Sequence, residues 1–371
     1  MTTAMKNYRI HAFLQTLSPL HITSPESARM KIEDSTVVYG ESVGIPLNQV
    51  QRINVQGLGG ATRAIPVIAA NNLMGRMRRH GATKVLDALR RKGEKVAMST
   101  YSALQCGAAT GKPDGRDVLF TEYREASNHP YIGLFGGGPR MMRRNVRCFN
   151  AVPYMECSEI MFGRNKHPHL DDEIHKASDA RKLTQCWILN RNDDLRELIN
   201  LSQAQASITD FEKEITKRQE AILADSKGKA ESGESSTRHT TRSFSSFEFV
   251  IPGVYFPLCF ELMNVDDAQV GLFLLAFDSF AATERLGGHA RNGMGQFSIT
   301  DVMITDDGGN ALAKDLFSES RLNSGDPFVQ RFLQAWSVAS EKMSGAELDR
   351  LFAPPPADEA KGKKAKAVEA V

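Results

Sequence analysis

Hydrophobic and polar residues alternate over 8–14, which predicts a first β-strand. A helix is predicted to start at 72–79, after Ile65-Pro66. Two strand-forming runs flank Pro252-Gly253, a helix with Asp266 or Asp267 as its N-cap follows over 270–277, and a last strand is predicted at 297–304. The order strand, helix, strands, helix, strand is that of the split βαβ unit. We therefore expect an α+β protein with a ferredoxin-like core.

Long stretches between these elements are predicted to be insertions. Residues 24–62 are polar and Gly-rich, and 101–130 is predicted to be irregular. Residues 161–246 carry helical patterns at 195–201 and 211–223, followed by a polar, low-complexity stretch at 225–243 that we expect to be a mobile loop. Order is expected to return at Phe247. Two C-terminal helices are predicted within 311–352, and the tail 353–371 is expected to be disordered.

The formal net charge of +2 conceals an asymmetry. Residues 61–150 carry 16 basic and 6 acidic side chains, an excess of ten positive charges. Such an excess favours a polyanionic partner, although a solvated basic face would look the same. Arginine predominates, and its planar fork matches phosphate geometry. The candidate RNA-binding residues in this segment are Asn71, Asn72, Arg76, Arg79, Arg140, Arg143 and Arg144. Arg76 and Arg79 are preferred over Arg78, because helix positions i and i+2 diverge.

Residues 287–295 form a glycine-rich loop, with four glycines between the predicted helix and the last strand. Glycines let a backbone approach a ligand without obstruction by Cβ, so phosphate contact is one interpretation and a tight turn is the other. A dinucleotide fingerprint would follow a strand and open a helix, which is the reverse order. The candidate residues in this loop are Gly287, Gly288, His289, Arg291, Asn292 and Gly293.

Several other classes of function find no support. Five scattered cysteines without a CxxC pair indicate a reducing cytoplasm, and neither a secretory signal nor a membrane span is recognisable. His167, His169 and His175 match no zinc spacing, so no metal is expected. The segment 107–113 resembles a phosphate-binding loop but is one residue short and ends in proline. No cofactor is expected, and the aromatic signature of ordinary RNA-recognition domains is missing.

Five separated pieces together resemble the RAMP superfamily of CRISPR proteins. They are the first strand running into Leu17-Ser18-Pro19-Leu20-His21-Ile22, the basic helix after Ile65-Pro66, the Leu134-Phe135-Gly136 turn, Phe249–Gly253 with Phe256, and the glycine loop. Within the superfamily the chain looks most like the backbone subunit of type IV effector complexes. The resemblance implies a hand-shaped protein whose ferredoxin-like palm carries finger and thumb insertions.

The resemblance also implies a division of the chain. Residues 1–160 would be the N-terminal part of the palm, with fingers at 24–62 and 101–130. Residues 161–246 would hold a helical insertion and the thumb, the latter within 190–246. Residues 247–310 would complete the palm, 311–352 would form the C-terminal helices, and 353–371 the tail.

The implied function is non-catalytic. Such a subunit polymerises along crRNA and holds its phosphates while the bases pair with target nucleic acid. Implied partners are crRNA, the target, copies of the same chain, other CRISPR subunits and an accessory helicase, all in the cytoplasm. A guide holder must contact phosphate and sugar without reading bases, which agrees with the arginines and glycines above.

The alternative is a RAMP endoribonuclease. Asp34 lies where type III relatives carry a catalytic aspartate, but its flanking residues do not resemble that catalytic loop. Guide-processing relatives use a histidine as general base, and His21 and His80 are the candidates for that role.

Overall fold

The computed structural model describes residues 5–26, 28–30, 37–38, 45–57, 60–107, 120–138, 142–177, 179–193, 201–207, 209–213, 215–217, 219–220 and 241–352. The chain divides into two compact units. The first takes residues 1–24, 50–185 and 249–371, and the second takes residues 25–49 and 186–248. Asp34, Arg140, the tail 353–371 and most of the 225–243 stretch lie outside the described residues.

The described strands are β1 (Lys6–Thr16), β2 (Ala28–Met30), β3 (Val37–Val38), β4 (Ile45–Asn48), β5 (Arg52–Gln56), β6 (Thr62–Pro66), β7 (Val146–Cys148), β8 (Thr184–Asp193), β9 (Thr241–Val250), β10 (Tyr255–Val265), β11 (Phe297–Thr305), β12 (Ala311–Ala313), β13 (Phe317–Ser318) and β14 (Arg321–Leu322). The described α-helices are α1 (Ala70–Arg91), α2 (Met98–Cys106), α3 (Phe120–Asn128), α4 (Pro130–Phe135), α5 (Glu159–Phe162), α6 (Leu201–Ser207), α7 (Asp267–Thr283), α8 (Pro327–Lys342) and α9 (Gly345–Phe352). Short 3₁₀ turns lie at Glu156–Ser158, Gly163–Asn165, Ala180–Lys182 and Ala290–Asn292.

An antiparallel five-stranded sheet forms the centre of the first unit, in the order β12-β11-β1-β10-β7. Ile10 of β1 lies opposite Phe260 of β10 and Ile304 of β11, so the middle of the sheet is apolar. The strand predicted over 8–14 is confirmed, and its Ile10, Ala12 and Leu14 are fully buried in the main core.

The elements of this unit follow the predicted order. β1 leads to α1, then come β7 and β10, then α7 and β11, with further elements between them. α1 packs against α7, and α7 packs on β10 and β11. The α+β class is therefore confirmed. Asp266 is the N-cap of α7, and it exchanges hydrogen bonds with Gln269 in a capping box.

The sheet face opposite α1 and α7 is also covered. Phe13 of β1 is 1% exposed, because His167 and His175 stack on its ring at 4.1 Å each. His167 Nε2 donates to the carbonyl of Asp301, and its Nδ1 accepts from the N–H of His169 at 3.1 Å. The segment around these histidines thus closes the second face of the sheet.

The second unit is built on a smaller mixed sheet in the order β3-β2-β4-β9-β8. β4 and β9 run parallel, with Leu47 paired to Ser246. The apolar cluster of this sheet contains Ala28, Met30 and Leu47. Strands β2, β3 and β4 share this sheet with β8 and β9, which lie far along the sequence. Local sequence patterns do not reveal such a non-local pairing.

Secondary structure differs from expectation in two insertions. Where 101–130 was expected to be irregular, α2 continues to Cys106 and α3 spans Phe120–Asn128. α3 buries Ala126 on a largely polar surface, so the spacing that signals a helix is weak there. The helix expected at 211–223 agrees with the described residues of 211–220, which are helical. Strand β8 was not predicted, and β9 already begins at Thr241, ahead of Phe247. The helix expected at 195–201 lies outside the described residues except for Leu201, which begins α6.

No helix in the described ranges combines the length and the apolar character that crossing a membrane requires.

Helices α7 and α8 approach closely at Gly271. A Cβ at this position would lie 2.2 Å from the carbonyl oxygen of Phe332 and 2.9 Å from Cβ of Trp336. The contact is between backbones, so rotating a side chain cannot relieve such a clash.

We predict that Gly271→Ala destabilises the protein by about 1–3 kcal/mol, the usual cost of overpacking a core. Gly75→Ala in α1 is the matched control. Its Cβ would meet nothing nearer than Arg79 Nη1 at 4.0 Å, so it should stabilise by about 0.5–1 kcal/mol through helix propensity. Urea unfolding of the two variants measures both effects. Equal stabilities would contradict the close helix approach.

Candidate nucleic-acid interface

The glycine loop is fastened to the segment that follows β1. Leu286 N–H donates to Gly295 O at 3.0 Å and closes the loop, while Gly295 N–H donates to Pro19 O at 2.8 Å. Gly287 has a φ of +75°, and a Cβ on it would lie 2.0 Å from His21 O. Gly287 and Gly295 therefore pack against the backbone that follows β1. The part of the loop that remains available to a ligand is its tip.

The tip is a 3₁₀ turn at Ala290–Asn292, entered through His289 in the left-handed region. The side chains of Arg291 and Asn292 are exposed, and neither forms a hydrogen bond or ion pair with the described part of the chain. The N–H groups of Gly288, Asn292 and Gly293 already donate to protein carbonyls. The loop therefore offers side chains more than a backbone cradle.

Arg76 is fixed by its neighbours. Its Nε donates to Asn72 Oδ1 at 2.9 Å, and Nη1 donates to Glu284 Oε1 at 2.5 Å and to Arg285 O at 2.6 Å. These bonds join α1 to the end of α7, directly ahead of the glycine loop. The Arg76 side chain is largely buried, at 16% exposure. Arg76 and Asn72 thus position the glycine loop. Arg76 was named from the sequence as an RNA-binding candidate, but it serves first as the anchor of this loop.

Glu284 is the acid at the centre of this junction. His80 Nε2 lies 3.2 Å from its second carboxylate oxygen. Burial alone would raise the pKa of Glu284, but the hydrogen bond with His80 and the charge of Arg76 outweigh it and hold the pKa at about 2. The carboxylate is therefore ionised at every physiological pH.

The neighbouring arginines of α1 serve different purposes. Arg78 donates to Gly136 O at 2.8 Å and to Phe135 O at 2.5 Å, and so holds the Leu134-Phe135-Gly136 turn. Arg79 is exposed, and its guanidinium has no partner among the described residues. Arg76 and Arg79 lie three positions apart on one side of the helix, so Arg79 is the free cation beside the loop anchor.

The basic run after the turn lies on another side of α1. A Cβ on Gly136 would fall 2.8 Å from Arg144 N, which places Arg143 and Arg144 against the turn that Arg78 holds. Arg143 is exposed and Arg144 is half-buried. The structure therefore separates the basic candidates into two groups, one at the glycine loop and one at this turn.

The start of α1 is accessible. Asn71 is exposed in the first turn, where acidic side chains are missing. The Ala70 N–H donates to Asn150 Oδ1 at 2.9 Å, so a side chain beyond β7 caps the helix.

Arg285 was missed by the sequence patterns. It is exposed directly before the glycine loop, and its Nη1 donates to Glu284 O at 3.0 Å. Its position next to Leu286-Gly287 could have identified it as a candidate RNA contact. An arginine just past a helix end, however, ordinarily indicates only a helix C-terminus.

The two histidines considered as general bases have different surroundings. His21 is 1% exposed, lies 3.1 Å from Thr23 Oγ1 and forms an edge contact with His289 at 5.3 Å between ring centroids. His80 is bound to Glu284. Within the described ranges, no cluster of three or more His, Cys, Asp or Glu residues is arranged to hold a metal ion.

Comparisons with known proteins give likenesses of fold only. No family model and no curated protein matches the chain. A chain of a type IV-B CRISPR complex is similar at 16% identity and a TM-score of 0.46, over 80% of this chain and 90% of that one. A chain of a type III-B Cmr-β complex bound to cognate target RNA is similar at 10% identity and a TM-score of 0.36, over 81% and 61%.

We predict an acid-dependent loss of stability that originates at Glu284. A carboxyl group whose pKa falls from 4.5 to about 2 on folding stabilises the native state above pH 4.5, and this contribution is lost as the pH falls to about 2. Between these values, the free energy of unfolding should fall less steeply in Glu284→Gln than in the wild type. Chemical unfolding at a series of pH values measures the difference.

The control for this prediction is Glu347→Gln on α9, an acid for which Arg76 and His80 are not partners. Its unfolding profile should parallel the wild type. Parallel profiles for Glu284→Gln and the wild type would show that the junction does not hold the carboxylate in its charged form.

Proposed function

We propose that this chain is the non-catalytic backbone subunit of an RNA-guided CRISPR surveillance complex and that it holds crRNA by its phosphates. The observation that carries the proposal is a pair of guanidinium groups without a partner among the described residues, Arg79 on α1 and Arg291 at the tip of the glycine loop. They flank the junction that Arg76 and Glu284 make rigid. Exposed arginines on rigid elements are suited to bind a phosphate backbone.

The chemistry of this face favours sequence-tolerant binding. Arginine and asparagine donors can contact phosphate and ribose oxygens, which are the same for every guide. Base stacking needs an exposed aromatic ring. The described residues of the loop tip and of the first turns of α1 offer none, since His289 packs against His21. A protein that serves many guides requires this combination.

The proposed partners follow from this role. They are crRNA, the target nucleic acid paired to it, further copies of this chain along the guide, other subunits of the complex and an accessory helicase. Arg143 and Arg144 form a second basic group across α1, which gives a guide strand a second contact on the same subunit.

The absence of catalysis is part of the proposal. His21 is buried, and His80 is occupied by Glu284 and faces Phe280 at 6.2 Å between ring centroids. The burial of His21 and the bond of His80 Nε2 to Glu284 favour structural roles for these two imidazoles at the glycine loop and its junction.

We predict that guide binding is electrostatic and depends on the free arginines. Arg79→Ala and Arg291→Ala should weaken binding of single-stranded RNA of any sequence, because each removes a cation that neutralises a phosphate. The slope of log affinity against log salt should fall by about 0.7 for each phosphate that is no longer neutralised. Fluorescence anisotropy with two unrelated labelled RNAs over a salt series measures both the affinity and the slope.

Lys314→Ala, an exposed cation after β12, is the matched control and should leave affinity and slope unchanged. Arg76→Ala should instead lower thermal stability, since it leaves the Glu284 carboxylate without its main partner. Strong preference for one of the two RNAs, or wild-type slopes in both arginine variants, would contradict the phosphate-holding role.

We predict that the wild-type protein protects labelled RNA and does not cleave it, with or without Mg²⁺. Asp34→Ala and His80→Ala should match the wild type in a gel assay of a labelled guide and of a complementary target. Cleavage that disappears in Asp34→Ala would assign the chain to the target-cutting endoribonucleases. Metal-independent cleavage that disappears in His80→Ala would assign it to the guide-processing enzymes.

A further inference from the structure

A second groove lies away from the glycine loop, between the C-terminal half of α1 and helices α7 and α8. Its volume is about 520 Å³. Leu275 of α7 and Leu333 and Trp336 of α8 form an apolar floor. Lys84, Arg90 and Arg91 of α1 form a cationic rim. The proposed RNA contacts involve none of these residues.

The walls of this groove are fixed. Lys92 Nζ donates to Ser340 O at 3.0 Å, to Glu341 O at 3.2 Å and to Met343 O, which ties the end of α1 to the end of α8. α8 is held on α7 by the close approach at Gly271. A preformed groove loses little conformational entropy when a ligand binds.

The rim carries an excess of positive charge. Asp87 is the acid that lines the groove, and it is paired with Arg90 at 2.9 Å. Lys84 and Arg91 have no acidic partner among the described residues. Their charges are therefore available to an anionic ligand, and charge complementarity selects a negative partner.

The floor decides between two kinds of anionic ligand. An RNA strand held by its phosphates makes no use of an apolar floor, and its bases would need an exposed aromatic ring to stack on it. Trp336 is 6% exposed, so its ring face is not offered, and the remaining floor is aliphatic. An aliphatic floor between fixed helices instead matches the apolar face of an amphipathic helix, and the cationic rim matches acidic residues on its flanks.

We propose that the groove between α1, α7 and α8 docks an acidic amphipathic helix of a protein partner. Leucine-like side chains would cover Leu275 and Leu333, and carboxylates would pair with Lys84 and Arg91. The residues of this groove are not among the proposed RNA contacts, of which Arg79 lies near the middle of α1 and Arg291 lies on the glycine loop.

Tryptophan fluorescence gives a local test. The chain has two tryptophans, so a Trp187→Phe background leaves Trp336 as the reporter in the floor of the groove. The probe is a synthetic helical peptide of alternating Leu-Leu and Glu-Glu pairs, and a peptide with Lys in place of Glu is its control. The acidic peptide should shift the Trp336 emission saturably, and the basic peptide should not. Lys84→Glu with Arg91→Glu should weaken the binding about tenfold or more.

Further arms separate the alternatives. Lys314→Glu, a charge reversal outside the groove, should bind the acidic peptide like the background protein. The Lys84→Glu, Arg91→Glu variant should keep the RNA affinity of the background protein. The proposal is overturned if the acidic peptide leaves the emission unchanged, if the rim reversal has no effect on peptide binding, or if oligouridylate shifts Trp336 and loses affinity on rim reversal, which would make the groove a nucleic-acid site.

Discussion

The ion pair between Arg76 and Glu284 is the interaction on which the rest of the candidate interface depends. It joins the first helix to the end of α7 across more than two hundred residues of sequence. Its oxygen and nitrogen atoms are mostly buried, so separating the partners would leave a carboxylate without compensation in a poorly solvated place. Because Arg76 also bonds to Arg285 O, the same side chain sets where the glycine loop begins. The start of the loop is therefore fixed relative to α1.

Positive charge in this chain therefore has two uses. Arg76 and Arg78 satisfy carbonyl and carboxylate oxygens of their own protein, while Arg79, Arg143 and Arg291 face solvent. The excess of basic residues in 61–150 overstates the charge available to a ligand, because some of these side chains bind oxygen atoms of the protein itself. Arginine suits both uses, since its planar fork can satisfy two protein oxygens or two phosphate oxygens with the same geometry.

The sequence predicted elements whose signals are local. Alternation in β1 and helical spacing behind Asp266 depend on neighbouring residues, and both predictions are confirmed. The helix α3 and the early start of β9 were missed, because polar α3 lacks a strong apolar stripe and β9 is aligned by pairing with distant β4. The pairing of Arg76 with Glu284 was hidden for the same reason: no periodicity links residues 76 and 284. Sequence named the residues around the loop but could not divide them into anchors and free donors.

The covered sheet face limits where a nucleic acid can bind. In an open α+β sheet the face without helices is available for stacking bases, but here Phe13 lies between His167 and His175, and burial lowers the pKa of adjacent His11 to about 4. Covered in this way, the ring of Phe13 is not available for stacking a base. The helical layer presents two different surfaces. One carries the exposed guanidinium groups of Arg79 and Arg291, and the other is the groove with an apolar floor beside the C-terminal half of α1. In the arrangement we propose, a strand of RNA binds at the first of these, which leaves the second free for a protein while the guide is bound.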